Sequence, residues 1–192
     1  MRVAFCGAGG TGKTTTMAAL LNLTTLETVP SISRQVYAAN KIAMEQDFDL
    51  LTPPMKILIQ DQIREGQWET FRTRDNIVSD RSPADHFAYY LNYCGDFIDY
   101  GTLCRVRSLT KKRLETFHYV FYFPLMTFPG QDDGMRKVME GYRYRYDLIL
   151  RGVLKDMEIN YHTLRRAGTA EQRAVRILDV IAEKDLSIIK KL

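Results

Sequence analysis

The sequence predicts an α/β fold: an open parallel sheet of about five strands, helices on both faces, and a helical lid. Three observations predict it. Short β-compatible runs alternate with stretches of helical period along the whole chain. The run His118–Phe123 is apolar or aromatic almost throughout, as strands buried on both faces of a parallel sheet are. And the first apolar run, Met1–Cys6, leads directly into a glycine-rich loop that opens a helix.

The elements follow in order. After Met1–Cys6, Thr14–Leu23 reads as a helix with Met17, Ala18, Leu20 and Leu21 to bury. Leu26–Val29 is a short second strand stopped by Pro30. Residues 32–44 keep a helical period, with Val36, Ala39, Ile42 and Ala43 near one face. Pro53-Pro54 opens a longer helix through Ile57, Leu58, Ile63 and Trp68 to about Phe71. Asn76–Asp80 is a compact strand, and Pro83 starts a helix rich in aromatics (Phe87, Tyr89, Tyr90, Tyr93). A further helix is expected from Ile98 to Glu115, then the strand His118–Phe123, a Pro/Gly-rich loop over Pro124–Gly134 and a long charged helix from Met135. A short strand near Tyr161–Leu164 and a helix from Ala170 to about Lys184 close the pattern. In such a sheet the ligand lies beyond the carboxyl ends of the strands, where the loops at 7–14, 30–34 and 80–83 gather.

Composition bounds the rest. The 192 residues, 45% of them hydrophobic, suffice for one well-cored domain over 1–192, with a lid region over about 124–155. No linker, repeat, signal-peptide pattern or membrane-length apolar run is seen, so the expected setting is cytoplasmic, in a host cell if the gene is viral. Cys6, Cys94 and Cys104 are isolated, and His86, His118 and His162 are scattered, which predicts reduced thiols and no zinc site. A net charge of +4 and a pI near 8.9 suit a protein that handles anions, whether small phosphorylated molecules or nucleic acid.

The loop Gly7-Ala8-Gly9-Gly10-Thr11-Gly12-Lys13-Thr14 matches G-x-x-x-x-G-K-[ST]. Glycines allow successive N–H groups to turn inward around an anion, and the helix N-terminus adds partial positive charge. Gly7, Gly9, Gly10, Thr11, Gly12, Lys13, Thr14 and Thr15 are the expected contacts to ATP, with Lys13 on the β- and γ-phosphates and the Thr14 hydroxyl on Mg²⁺. The bland alternative is a glycine turn that binds nothing; strand, loop and helix in sequence argue against it. Ile77-Val78-Ser79-Asp80-Arg81-Ser82 supplies the second acid, with Asp80 as the metal-linked carboxylate. Water-activating ATPases carry Asp-Glu at this place, whereas Asp80-Arg81 offers a cation for a second phosphate. No Asn-Lys-x-Asp motif is present to read a guanine. A phosphotransferase fits better than a hydrolase or a switch.

Together with Pro30-x-x-x-Arg34 and the late Asp133-Gly134-x-Arg136, these motifs resemble the nicotinamide riboside kinase-like group of P-loop kinases, near the thymidylate and deoxynucleoside kinases, within the AAA-type ATP-binding domain family. The resemblance spans Val3 to about Lys155. It implies that the Asp80 strand lies beside the phosphate-loop strand and that a lid closes over the triphosphate. One departure stands out: Ser31 occupies the place where such kinases often have a Glu near the acceptor hydroxyl. Asp80, or a carboxylate such as Glu45, Asp47 or Asp61, would then serve as base.

From Met135 to Leu154, Met135, Val138, Met139, Tyr142, Tyr146, Ile149 and Val153 share one stripe, and Arg136, Glu140, Arg143 and Asp147 fall opposite. This is either a solvated, ion-paired face or a lid whose Arg136 and Arg143 reach the transferring phosphoryl group, with Glu140 and Asp147 holding them ready. Arg145 and Arg151 are weaker candidates. Arg34, Arg81 and Gln60 are the expected acceptor contacts, while Tyr89, Tyr90 and Trp68 read better as core than as stacking platforms.

The function expected is ATP-dependent transfer of a phosphoryl group to a nucleoside or nucleotide, by a monomer or homodimer. Two other readings stay open. The run Arg105, Arg107, Lys111, Lys112 and Arg113 could track a DNA backbone, which would suit a kinase acting on hydroxymethylated pyrimidines such as 5-hydroxymethyluracil in DNA. Ser31 would suit a non-catalytic, regulatory nucleotide-binding module.

Overall fold

In the computed structural model the described residues are 1–43, 45–125, 139–164, 168–183, 187 and 189. Five parallel strands form one sheet in the order β2-β3-β1-β4-β5: β1 Arg2–Cys6, β2 Glu27–Val29, β3 Ile77–Ser79, β4 Tyr119–Tyr122 and β5 His162–Thr163. β1 is central. It pairs with β3 through Val3↔Val78 and with β4 through Phe5↔Phe121, so chain order reverses on either side of it. A crevice opens beyond the carboxyl ends of strands at such a reversal, and the loop after β1 lies there.

The period of two in β1 sorts its side chains between two cores. Val3 and Phe5 face α1 (Lys13–Leu23) and α7 (Ala170–Ala182), packing with Met17, Leu20, Ala174, Ile177 and Ile181. Ala4 and Cys6 face the opposite layer, with α4 (Pro83–Cys94), α5 (Tyr100–Leu114) and α6 (Glu140–Asp156). α3 (Pro53–Arg72) packs beside α4, and a third cluster joins Ile59 and Ile63 of α3 to Tyr37 of α2 (Ser33–Ala39) and to Phe48 and Tyr93.

Local chemistry sets the ends of these helices. Ser82 and Asp85 form a capping box at α4 with Pro83 in the first turn, and Thr169 and Gln172 do the same for α7. Asp99 caps α5 by accepting from the Thr102 N–H at 2.9 Å.

Two expectations shift. The helix expected over 32–44 is only Ser33–Ala39, because the Asn40 amide donates to the Val36 carbonyl at 2.8 Å and Lys41 takes a positive φ of 58°. A short 3-10 helix at Glu45–Leu50 then drops Phe48 into the third cluster, where its ring lies 4.5 Å from that of Tyr93. The charged helix expected from Met135 is described only from Glu140; Met135, Arg136 and Val138 lie outside the described residues. Among the described residues no helix is long and apolar enough to cross a membrane.

Gly7 marks where sheet and loop meet. Its φ is 142°, and a Cβ there would lie 2.5 Å from the Phe123 carbonyl oxygen, a backbone atom with no room to swing aside. Gly7→Ala is therefore expected to lower stability by more than about 1 kcal/mol, seen as a lower urea midpoint with unchanged slope.

Candidate functional site

Lys13 anchors the loop that follows β1. It is 5% exposed, and its Nζ donates to the carbonyls of Gly7 at 2.8 Å and Ala8 at 2.7 Å and to Thr11 Oγ1 at 3.2 Å. Thr11 Oγ1 in turn donates to the Ala8 carbonyl at 2.9 Å. Gly10 and Gly12 hold φ of 71° and 84°, which turns the chain tightly around the ammonium. The Gly9 carbonyl faces α6, and Thr14 and Thr15 are exposed on the first turn of α1. The expected loop residues are thus gathered in one cradle at a helix N-terminus, the geometry that receives phosphate.

Asp80 meets the loop from the end of β3. Thr14 Oγ1 donates to Asp80 Oδ2 at 2.7 Å, while Asp80 Oδ1 is buried with no hydrogen-bond partner. A hydroxyl beside a carboxylate oxygen that lacks a donor suits Mg²⁺, a hard cation that takes one or two protein oxygens and fills its octahedron with phosphate and water. Among the described residues no group of three His, Cys, Asp or Glu gathers as a self-sufficient metal cage.

Asp85 is the residue that sequence reasoning passed over. It is fully buried, and its carboxylate accepts from the Gly7 N–H at 3.2 Å, Arg81 Nη1 at 3.2 Å, the Ser82 N–H at 2.9 Å, Ser82 Oγ at 2.7 Å and the Tyr146 hydroxyl at 2.9 Å. The S-x-x-D spacing from Ser82 signals a helix cap, but nothing local points to Gly7 or Tyr146. Arg81 also donates to the Gly7 carbonyl at 2.9 Å and lies 5.3 Å from the Tyr89 ring centre. Burial, reinforced by Asp85, pushes the Tyr146 hydroxyl well above its usual range and keeps it a donor.

α6 buries its apolar stripe through Tyr146 and Val153, and more besides. Arg143 and Asp147, expected opposite the stripe on either a solvated face or a lid, are both buried, whereas Met139, Tyr144 and Leu148 are exposed. The buried pair has polar partners inside. Arg143 Nε donates to the Gly9 carbonyl at 3.0 Å, and Asp147 accepts from the Tyr122 hydroxyl at 2.6 Å and from Arg151 Nε at 3.1 Å. Arg143 does reach the phosphate loop. Asp147, however, engages Arg151 and Tyr122, and Arg145 is exposed beside the Tyr142 ring.

The acceptor-side expectations come together only in part. Arg81 is in the cluster. Arg34 is exposed on α2, and Gln60 is buried on α3. Gln67, one turn further along α3 than Ile63, is the glutamine that fixes the segment after β2: its Oε1 accepts from the Ile32 N–H at 3.0 Å and its Nε2 donates to the Pro30 carbonyl at 3.2 Å. Ser31 Oγ lies 2.9 Å from Ser33 Oγ. Asp61 pairs with Arg64 at 2.9 Å, and the Glu45 side chain lies outside the described residues. Tyr90 is core, and Trp68 is covered by Arg113, whose guanidinium carbon is 5.1 Å from the ring centre.

Four of the five cations of the basic run on α5 have partners within the protein. Arg113 is buried against Glu65, Arg107 pairs with Asp156 at 2.5 Å, Lys111 lies 3.6 Å from Glu158, and Arg105 donates to Thr102 Oγ1 at 2.7 Å. Three of these contacts are ion pairs, that of Arg113 buried and the other two at the surface.

A family model described as an AAA domain matches residues 2–173. No curated protein matches the sequence. Solved structures of the same P-loop kinase fold include a deoxyadenosine kinase from M. mycoides with dCMP and a flexible dCDP bound, 14% identical over 96% of this chain and 100% of that one, with a TM-score of 0.67. NadR in complex with NR is 19% identical with a TM-score of 0.70, and this chain spans 53% of its length while being covered in full. Shikimate kinase from Acinetobacter baumannii, in complex with shikimate, is 17% identical over 97% of this chain and 95% of that one, with a TM-score of 0.57.

Tyr146→Phe keeps the ring packing and removes one bond to a buried carboxylate, so it is expected to cost about 1.5–3 kcal/mol in urea denaturation. Burial also lowers His86 from 6.5 to about 4. The unfolded chain therefore binds a proton that the folded chain refuses, and this stability, complete above pH 6.5, is lost as pH falls from 6.5 toward 4. Thermal melts of His86→Gln should show a shallower decline than the parent over that window.

Proposed function

The chain belongs to the AAA domain family, and on that footing we propose that it is an ATP-dependent kinase that phosphorylates a hydroxyl or phosphate of a nucleoside- or nucleotide-type acceptor. The observation that carries this reading is the meeting of Lys13, the Thr14–Asp80 pair, Arg81 and Arg143 around one glycine loop. Neighbours of the same fold that bear dCMP, dATP or NR support the acceptor class.

In this reading the loop N–H groups and Lys13 hold the β- and γ-phosphates of ATP, and Thr14 and Asp80 hold Mg²⁺. The metal, when bound, neutralises charge on the phosphate oxygens. The bond between the γ-phosphorus and its bridging oxygen breaks as a bond to the acceptor oxygen forms. For a hydroxyl acceptor the proton passes to the Asp80 carboxylate, the acid at hand where Ser31 stands in place of a glutamate. A loose transition state asks more of positioning than of base strength. Arg81, fixed by Asp85 and the Gly7 carbonyl, and Arg34 orient the acceptor, with Gln60 lining its side. The part of the 124–155 region that precedes α6 acts as the lid, α6 itself being packed in the core, and Arg143 and Arg136 bring planar cations to the equatorial oxygens.

The test is ADP release from Mg·ATP across nucleosides, deoxynucleotides, nicotinamide riboside, and DNA with and without 5-hydroxymethyluracil. Stimulation by a free nucleoside or nucleotide is expected. Stimulation only by the modified DNA, or ATP binding without turnover on any acceptor, would overturn the proposal. Lys13→Ala should abolish turnover, and Arg143→Ala should lower kcat by about 10²-fold while ATP still binds.

A further inference from the structure

α7 packs on the sheet through Ala174, Ile177 and Ile181, but one residue of its first turn faces elsewhere. Arg173 Nη1 donates to the Thr11 carbonyl at 3.3 Å. A Cβ built on Gly12 would meet its two terminal nitrogens at 2.7 and 2.8 Å, so the guanidinium lies directly against the backbone of the phosphate loop. Lys13 Nζ reaches the same Thr11 through its Oγ1. Two cations from different helices therefore bear on one residue of the cradle.

Arg173 differs from four other arginines in how its charge is met. Arg81 has Asp85, Arg113 has Glu65, Arg107 has Asp156 and Arg151 has Asp147. Arg173 has no carboxylate at ion-pair distance among the described residues, and its Nε is buried without a hydrogen-bond partner. Burial holds its pKa below the usual arginine value, with Glu171 offsetting that only in part. A half-buried cation left without a counter-charge at the edge of an anion cradle gains most when an anion arrives. The capping box at Thr169 and Gln172 fixes the turn that carries it.

We propose that Arg173 is a further nucleotide-binding residue, contacting the phosphate chain of the donor nucleotide from α7. This rests on the reading of the loop as a nucleoside triphosphate site. Because a phosphate contact ignores the base, ATP and GTP should depend on it equally.

Calorimetric titration of ATP, ADP and GTP into the wild type, Lys13→Ala, Arg173→Ala and Arg173→Gln tests this. The glutamine variant keeps a donor for the Thr11 carbonyl and removes the charge, which separates a charge effect from loosening of α7. Expected are affinities weakened about 10-fold or more in both Arg173 variants, by the same factor for ATP and GTP, with melting temperatures of the glutamine variant close to wild type. Affinities within twofold of wild type, alongside loss of binding in Lys13→Ala, would overturn the proposal and leave the loop reading standing. So would a loss confined to ATP, which would mark a base contact, or weakening in the alanine variant alone. Absence of nucleotide binding by the wild type would remove the loop reading and this proposal together.

Discussion

A single buried carboxylate ties the parts of this site together. Asp85 accepts from the first residue of the phosphate loop, from the arginine after β3, from its own helix cap and from a tyrosine on α6. A carboxylate removed from water is costly unless its oxygens are met by donors, and here each oxygen has at least two. The same requirement fixes geometry. Asp85 holds the Gly7 N–H, and the carbonyl of the same residue, on the next peptide, accepts from both Lys13 and Arg81. The positions of the two cations nearest the loop follow from one acid behind it.

The sheet order makes that acid possible. With β3 beside β1, the chain leaving β3 passes directly behind the loop leaving β1, and Asp80 and Asp85 both arrive there within one helical turn of each other's elements. Asp80 faces the exposed side, toward Thr14, and Asp85 faces the interior. One segment thus supplies a carboxylate with one oxygen that accepts no hydrogen bond and another whose oxygens both accept several.

What the sequence discloses depends on how far apart the partners are. The loop over 7–14, the strand ending at Asp80 and the alternation of strands and helices are local patterns, and the structure carries all three. The early end of α2 turns on one asparagine side chain reaching back a single turn, a signal present at Asn40 but weaker than the periodicity running past it. The face of α6 is different in kind. A pattern of hydrophobicity places Arg143 and Asp147 opposite the apolar stripe, and the Gly9 carbonyl and the Tyr122 hydroxyl, distant in the chain, help make their burial favourable. Asp85 and Arg173 are hidden for the same reason: each looks like an ordinary helix residue until the loop is placed beside it.

The spans of these contacts set an order of events. Thr14 to Asp80 closes over 66 residues, Gly7 to Asp85 over 78 and Gly9 to Arg143 over 134. Each closure carries an entropic cost before any contact repays it. During synthesis the glycine loop precedes all of these partners and acquires its settled shape only after β3, α4, α6 and finally α7 have followed. The loop is thus held in its final shape by partners that all lie later in the chain, the farthest of them 162 residues on.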